Sequence, residues 1–296
     1  MKTMKVLARG AMLAALGAFT APVATQAVQP RSQPLKSPRL YVFDCGTLEG
    51  DPARFNLKRE EMATTDMSVA CYLVVHPRGT LIWDTGAVPD LEVRSENQRT
   101  RHRIVLTIGE RYVTIAKSLK SQLGAAGYAP GDMTHLALSH YHYDHTANAN
   151  EFVSATWLVR QVERDAMFAE KPPDIVQRAT FNALRNSKTI VIKTDDYDVF
   201  RDGSVVIKWA PGHTPGHQML FVKLARTGPV LLSGDLYHYP EERTLARVPT
   251  FEVDPDQTRR TRTAIEAFLK KSRAQLWIQH DFAANAALKK GPAFYD

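Results

Sequence analysis

Four side chains of the kinds that bind metal ions lie within six consecutive residues, His140-Tyr141-His142-Tyr143-Asp144-His145. In an extended segment, residues two apart point to the same side, so His140 and His142 can bind one ion. A turn after them allows Asp144 and His145 to face a second ion. Imidazole and carboxylate ligands without thiolate favour Zn²⁺, with manganese, iron and cobalt as alternatives. A histidine-rich surface loop does not explain this density of ligands after an apolar strand, so the motif predicts a metal site.

Three more potential ligands follow predicted strands elsewhere in the chain. His213 lies in the glycine- and proline-rich turn 211–216, Asp235 follows Ser233-Gly234, and His280 directly follows an apolar run. The strands expected before them cover 205–209, 230–233 and 274–279. Loops at strand ends gather along one edge of a sheet, so we expect these three side chains to join the first cluster.

The elements expected to position these residues are mainly strands, with helices between groups of them. Further strands are predicted over 40–43, 68–75, 80–83, 134–139, 156–159, 189–193 and 219–224. Helical spacing predicts one helix over 112–126, and Asp254 with Pro255 predicts the N-cap and first residue of another. The charged run 94–103 predicts a solvated loop. This pattern favours sheet packed on sheet with helices outside.

The composition is that of an ordinary globular protein, with 44% hydrophobic and 23% charged residues in 296. No apolar run reaches the roughly 18 to 20 residues of a membrane-spanning helix. The net charge of +7 falls to 35 bases against 31 acids, or +4, without Lys2, Lys5 and Arg9. Such a charge does not demand an acidic partner, so we expect no nucleic acid. Cys45 and Cys71 lie in early strands, where either a disulfide or two free thiols is compatible with the sequence.

The N-terminal residues 1–27 have the pattern of a secretory signal peptide, with three bases, an apolar stretch and small residues before a cleavage site expected after Ala27. A retained membrane anchor is the alternative, but the apolar stretch is short for one. Residues 28–38 contain three prolines and predict a flexible tether, followed by one domain over 39–296. We therefore expect a periplasmic or secreted protein without a stable membrane span after cleavage.

This set of motifs resembles the metallo-β-lactamase superfamily over nearly all of the mature chain. The family's His-x-His-x-Asp-His motif, its later ligands and its Asp-Thr-Gly turn match His140, His142, Asp144, His145, His213, Asp235, His280 and Asp84-Thr85-Gly86. The resemblance implies an α+β fold, a four-layer αβ/βα sandwich. It also implies two divalent metal ions per chain, one on His140, His142 and His213. Asp144, His145 and His280 would bind the other ion, Asp235 would bridge the two, and Asp84 would orient a ligand.

Within the superfamily the chain is most similar to the N-acyl-homoserine lactonases. The similar segments are 71–75, which precedes Ile82-Trp83-Asp84-Thr85-Gly86, then 247–249, 251–255 and the ending 278–281. It departs from them at 146–149, where the family commonly has a glycine pair. It also departs three residues after the bridging aspartate, where cytoplasmic relatives have a tyrosine that touches the lactone. His238 occupies that position between Tyr237 and Tyr239, and the register leaves all three open, with His238 the first choice and Tyr237 the second.

The resemblance implies a secreted hydrolase that opens the lactone ring of N-acyl-homoserine lactones with a water activated by two metal ions, which would quench quorum signalling. Asp144 would carry a proton to the leaving alkoxide, and His238 or Tyr237 would stabilise the oxyanion. Alternatives are a hydrolase of a different lactone, a β-lactam or a thioester, or a binding protein with a relict site. The expected partner is a small-molecule lactone, and a homodimer is a further possibility.

The substrate pocket is harder to predict than the metal site. The apolar run 104–108 predicts a core strand or, alternatively, a flap over an acyl chain. Met67, Phe43 and Phe181 are candidates for lining such a pocket, although packing in the core is the simpler interpretation for each of them.

Overall fold

The computed structural model describes residues 35–296. The predicted signal peptide 1–27 and the first seven residues of the predicted tether 28–38 lie outside the described residues. Within the described part of the chain, no helix is long and apolar enough to cross a membrane.

The larger of two sheets combines antiparallel and parallel strands. Over residues 35–296 it contains nine strands: β1 Arg39–Glu49, β2 Asp66–His76, β3 Gly79–Trp83, β4 Thr100–Leu106, β5 Gly109–Ile115, β6 His135–Ala137, β7 Thr156–Val159, β8 Thr189–Val191 and β14 Phe294–Tyr295. Their order is β4-β5-β1-β2-β3-β6-β7-β8, with β14 beside β1. The hairpin of β2 and β3 turns at Pro77 and Arg78, between two strands that the sequence predicts. Strands β3, β6, β7 and β8 run parallel, so their C-terminal ends share one edge.

The second sheet and the helices complete the fold. In the described chain this sheet has five strands, in the order β13-β12-β11-β10-β9: β9 Asp196–Asp198, β10 Val205–Trp209, β11 Gln218–Leu224, β12 Gly228–Leu232 and β13 Gln275–Trp277. The α-helices are α1 Leu119–Ala125, α2 Tyr143–Thr146, α3 Gln161–Phe168, α4 Pro240–Thr244, α5 Pro255–Ser272 and α6 Phe282–Ala287. Helix α5 begins as predicted, because the Asp254 side chain accepts a hydrogen bond from the Gln257 amide and Pro255 opens the helix.

Three buried clusters define four layers. Between the sheets, Val42, Tyr72 and Trp83 of the larger sheet pack with Ile207 and Leu220 of the smaller one. The outer face of the larger sheet packs against Leu119 and Leu123 of α1 and Met167 of α3. The outer face of the smaller sheet packs against Ile265 and Leu269 of α5. Helix, sheet, sheet and helix therefore stack in that order, which confirms the predicted αβ/βα sandwich.

The predicted helix over 112–126 is wrong in its first half. Residues 109–115 form β5, which pairs with β4 in a hairpin from Thr100↔Ile115 to Leu106↔Gly109, and only 119–125 are helical. Buried Val113 and Ile115 alternate with more exposed neighbours, which is the period of a strand. Residues 100–103, the end of the predicted charged loop, belong instead to strand β4. The same strand confirms the strand interpretation of 104–106.

Cys45 and Cys71 lie on the neighbouring strands β1 and β2, whose register pairs Phe43 with Cys71. Their Cα atoms are 5.9 Å apart and their sulfur atoms are bonded. Of the two states left open by the sequence, the structure therefore has the disulfide.

Candidate metal centre

The C-terminal ends of one strand in the larger sheet and three strands in the smaller sheet place four of the candidate ligands. His140 follows β6, His213 follows β10, Asp235 follows β12, and His280 follows β13. All four side chains are buried. The strand-end side chains therefore come from both sheets, and their donor atoms lie close together, as described next.

The short helix α2 produces the predicted turn within the six-residue motif. His142 is its N-cap residue in extended conformation, and Asp144 and His145 lie in its first turn. The backbone thus changes direction directly after His142. Because of that change, His140 and His142 face one group of side chains while Asp144 and His145 face another.

Two groups of potential metal ligands result. In each, the donor atoms lie within 4.8 Å of one another: His140, His142, His213 and Asp235 in the first, and Asp144, His145 and His280 in the second. In the first group, Nε2 of His213 lies 3.2 Å from Nε2 of His140 and 3.0 Å from Nδ1 of His142. These two groups contain all seven residues predicted from the sequence. Their individual assignments to one ion or the other remain predictions.

The Asp235 carboxylate lies between the two groups. Its Oδ1 atom is 3.2 Å from Nε2 of His145 and 3.1 Å from Nε2 of His280. Its Oδ2 atom is 3.4 Å from Nε2 of His140 and 3.3 Å from Nε2 of His213. One oxygen therefore faces each group, which is the geometry expected of a bridging ligand.

Unpartnered buried atoms test whether this cluster fits metal ions. Nε2 of His145, Nε2 of His280 and Oδ1 of Asp235 are buried without a hydrogen-bond partner. Each such atom would cost about 1–3 kcal/mol if nothing satisfied it. All three point into the same small space, where a cation would satisfy them together. The residues therefore fit divalent metal ions, for which imidazole and carboxylate are suitable ligands.

Hydrogen bonds at the far side of the rings fix their orientation. Nδ1 of His145 lies 2.9 Å from Oδ2 of Asp84, Nδ1 of His213 lies 2.8 Å from Oε1 of Glu252, and Nδ1 of His280 lies 2.7 Å from the Ser68 carbonyl. An acceptor at Nδ1 keeps a proton there and directs Nε2 toward the centre, where its lone pair could bind a cation. The contact of Asp84 with His145 agrees with the orienting role proposed from the sequence.

The backbone at Asp84 is as specific as its side chain. This residue has a φ of 56°, in the left-handed region that residues other than glycine rarely adopt. The conformation brings Oδ1 to 2.6 Å from the Ser139 amide while Oδ2 accepts from Gln279 at 2.9 Å. Asp84 thus joins three segments that carry His140, His145 and His280.

Burial and the charges of neighbouring side chains set the charge states of His140, His142 and Asp235. Burial, reinforced by neighbouring imidazoles, lowers the pKa of His140 and His142 well below the ordinary value, which keeps them in the neutral form that binds metal. Burial alone would raise the pKa of Asp235. The surrounding histidines, His145 and His280 foremost, outweigh burial and lower the pKa of Asp235 well below its ordinary value.

Of the three candidates for contact with a substrate, only His238 faces the centre. Its Nε2 atom lies 3.2 Å from Oδ2 of Asp235, and its Nδ1 atom lies 3.1 Å from Oε1 of Glu242. Burial alone would lower the pKa of His238, but the carboxylates of Glu242 and Asp235 raise it to about 10. Glu242 thus holds the Nδ1 side of the ring, and Nε2 faces the centre without a hydrogen-bond partner.

The second choice, Tyr237, is wrong for this role. Its hydroxyl donates to Glu266 on α5 at 3.1 Å, and its ring is buried between the second sheet and that helix. The hydroxyl of Tyr239 donates instead to the Thr65 carbonyl at 2.7 Å. Consecutive side chains before α4 point in different directions, so only the middle one of the three reaches the cluster.

Besides Glu252, two more supporting residues were not predicted from the sequence. Glu163 on α3 is buried and accepts hydrogen bonds from the Tyr141 amide at 2.9 Å, the Gly216 amide at 2.8 Å and the Thr214 hydroxyl at 2.9 Å. It therefore joins the loop of His140 and His142 to the loop of His213. His217, which accepts from the Asp235 amide at 2.9 Å, was also missed. Its placement after a Pro-Gly turn is the one feature that could have suggested it.

A cavity of about 400 Å³ opens onto the cluster and reaches His142, Asp144, Asp235 and His238. Its apolar lining comes from Leu48, Phe55, Met67, Ile175 and Phe251, and the hairpin contributes Glu110, Arg111 and Tyr112. Of the three pocket candidates from the sequence, Met67 lines this cavity. Phe43 and Phe181 are fully buried in the core, which corrects that alternative for both.

The family follows from comparison with known proteins. The model of the metallo-beta-lactamase superfamily matches residues 64–274. The chain belongs to the metallo-β-lactamase superfamily.

Similar proteins include two N-acyl homoserine lactonases. AttM of Azorhizobium caulinodans is 27% identical over 265 residues, covering 87% of this chain and 98% of AttM. AiiA of Bacillus thuringiensis subsp. kurstaki is 26% identical over 262 residues, covering 86% of this chain and 98% of AiiA.

Solved structures show the same fold. An N-acyl homoserine lactone hydrolase with the product N-hexanoyl-L-homoserine at its catalytic metal centre matches with a TM-score of 0.70 and 23% identity, covering 88% of this chain and all of that one (100%). The dizinc quorum-quenching lactonase AidC matches with a TM-score of 0.60 and 18% identity, covering 88% of this chain and 95% of AidC.

Proposed function

We propose that this protein is a metal-dependent lactonase that opens the ring of N-acyl homoserine lactones. The observation that carries the proposal is the convergence of seven buried imidazole and carboxylate side chains at the inner end of a cavity with apolar walls. The similarity to curated N-acyl homoserine lactonases over most of both chains supports the choice of substrate. A cavity of about 400 Å³ is within the usual range for a small-molecule site.

The proposed cofactor is a pair of divalent ions, Zn²⁺ by preference. His140, His142 and His213 would hold one, Asp144, His145 and His280 the other, with Asp235 between them. Such ions would supply an activated water and polarise the lactone carbonyl. The chain's own contribution is a rigid arrangement, because Asp84, Glu252 and the Ser68 carbonyl fix the rings from behind.

Asp144 and His238 are the side chains proposed to act on the substrate itself. Both line the cavity. Asp144 would carry a proton to the oxygen that leaves the opened ring, as a carboxylate within reach of the reacting atoms can. His238 would donate from Nε2 to the oxygen on which negative charge develops, while Glu242 holds its Nδ1 side.

Apolar side chains would receive the acyl chain. The rings of Phe55 and Phe251 pack edge to face with centroids 5.3 Å apart, and His238 lies against both. Met67 and Ile175 extend this wall. Contact with these groups would remove an alkyl chain from water, worth about 0.8 kcal/mol for each fully buried methylene.

Export from the cytoplasm and the quenching of quorum signals are part of the same proposal. The pattern of residues 1–27 supports export, and the Cys45–Cys71 disulfide supports an oxidising compartment. A lactonase placed there would meet signal lactones outside the cell.

A titration of released acid tests the reaction class. Metal-reconstituted protein should release acid from N-acyl homoserine lactones much faster than from thioesters or β-lactams. A higher rate with a thioester or a β-lactam would replace the proposed substrate while keeping the metal centre.

A further inference from the structure

Two arginine side chains line the cavity without an ion-pair partner. They are Arg54, in a short 3₁₀ turn before β2, and Arg111 on β5. The acidic groups of the hairpin side are already paired, because Glu49 binds Arg101 at 2.5 Å and Glu110 binds Arg103 at 2.6 Å. Arg101 and Arg103 therefore form ion pairs, whereas among residues 35–296 neither Arg54 nor Arg111 does.

Arg54 is held close to the metal centre. Its guanidinium carbon lies 4.6 Å from the centroid of the Phe251 ring. That ring in turn packs against His213 and His238, with centroids 5.8 and 5.5 Å away. This cation–π contact holds the guanidinium at the ring and leaves N–H donors for another group.

Arg111 faces the same space from the hairpin. It lies on the face of β5 that carries the buried Val113 and Ile115, and its Nη1 donates to the Glu110 carbonyl at 2.8 Å. Arg54 and Arg111 line the same cavity. Burial, followed by the positive charge of Arg111, lowers the pKa of Arg54, and the charges of Asp51 and Asp144 oppose that shift in part. Three other acids line the cavity: Asp144 and Asp235 belong to the candidate metal centre, and Asp51 is exposed and accepts from the Ala53 amide at 3.1 Å.

Two partly buried like charges raise the free energy of an empty cavity, and an anion between them lowers it. Guanidinium groups bind carboxylates with paired, charge-assisted hydrogen bonds. We propose that the acyl chain of the preferred lactone carries a carboxylate, which binds between Arg54 and Arg111 while the ring lies at the metal centre. This inference rests on the proposed lactonase function and specifies its substrate class.

Two lactones with acyl chains of equal length test the inference, one ending in a methyl group and the other in a carboxylate. For the unaltered enzyme, kcat/KM should be about 10-fold or more higher for the carboxylate form. Arg54→Met and Arg111→Met keep the length and apolar part of the side chain. Each should remove most of that preference while changing kcat/KM for the methyl form by less than about 3-fold.

Arg94→Met is the matched control, because Arg94 is exposed and lies outside the cavity lining. It should retain the preference, and the methyl lactone verifies that each variant is folded. Equal kcat/KM values for the two lactones, or equal losses for both in the arginine variants, would overturn the inference and leave the lactonase proposal intact. Failure to open either lactone would overturn both.

Discussion

At the scale of single residues, Asp235 is the side chain on which the candidate metal centre depends most. Its two oxygens face different ligand groups at 3.1–3.4 Å. The placement of such ligands was predictable, because each follows an apolar strand directly. Glu163 and Glu252 were not predictable, because an isolated glutamate on a helix or loop looks the same in sequence whether it is buried or exposed.

Replacing Asp235 by asparagine should test the bridge. The amide keeps the shape but loses the charge between the two groups. The fall in kcat/KM should therefore be roughly 100-fold or more, at or beyond the upper end of the 10- to 100-fold loss typical of residues that only orient a ligand. Metal content by mass spectrometry and lactone kinetics measure this. Asp165→Asn on the exposed side of α3 is the matched control and should behave as the unaltered protein. Turnover in Asp235→Asn near the original level would show that this residue does not bridge.

His238 should contribute to the rate more than to substrate binding. A hydrogen bond formed mainly in the transition state lowers kcat more than it raises KM when it is lost. His238→Ala should therefore reduce kcat roughly 10-fold or more, equivalent to about 1.4 kcal/mol. Tyr237→Phe is the control, since the Tyr237 hydroxyl contacts Glu266 away from the cavity. A loss confined to Tyr237→Phe would contradict the assignment drawn from the structure.

At the scale of secondary structure, the strands before the ligands were predictable and the β4–β5 hairpin was not. Ile115, Leu119 and Leu123 have helical spacing, yet Ile115 ends a strand and only the other two lie in a helix. Local spacing does not reveal that β5 pairs with β1 through Thr47 and Leu48. That pairing places Arg111 beside the cavity, so the error concerned the substrate pocket rather than the metal ligands.

The disulfide between β1 and β2 should stabilise the larger sheet. It joins residues separated by 26 positions, for which chain entropy in the unfolded state predicts about 3 kcal/mol. A Cys45→Ala/Cys71→Ala variant should lose about that much free energy of unfolding in urea while retaining lactone turnover. Reduction of the unaltered protein provides the control. An unchanged midpoint of unfolding would contradict a stabilising role.

At the scale of the whole molecule, the fold class and the candidate ligand set were both predictable, because one superfamily motif implies the sandwich and its site. The choice of His238 as the candidate for substrate contact required the structure, since the register around residue 238 was ambiguous by one position.

Export remains a prediction from residues 1–27. Expression of the full chain in a bacterium with a secretory pathway should yield a mature protein that begins at Val28 in the periplasm or medium. The measurement is the intact mass of the secreted protein, with a variant carrying Lys2→Glu, Lys5→Glu and Arg9→Glu as the control that should remain unprocessed. An unprocessed chain that retains Met1 in the cytoplasm would contradict export.

The most direct test of the central claim is a titration of metal-free protein with Zn²⁺, followed by acid release from N-hexanoyl homoserine lactone. The two ligand groups predict that activity rises with loading and reaches its plateau near two ions per chain. A plateau at one ion would contradict the two-metal mechanism. Absence of acid release at every loading would contradict the lactonase function itself.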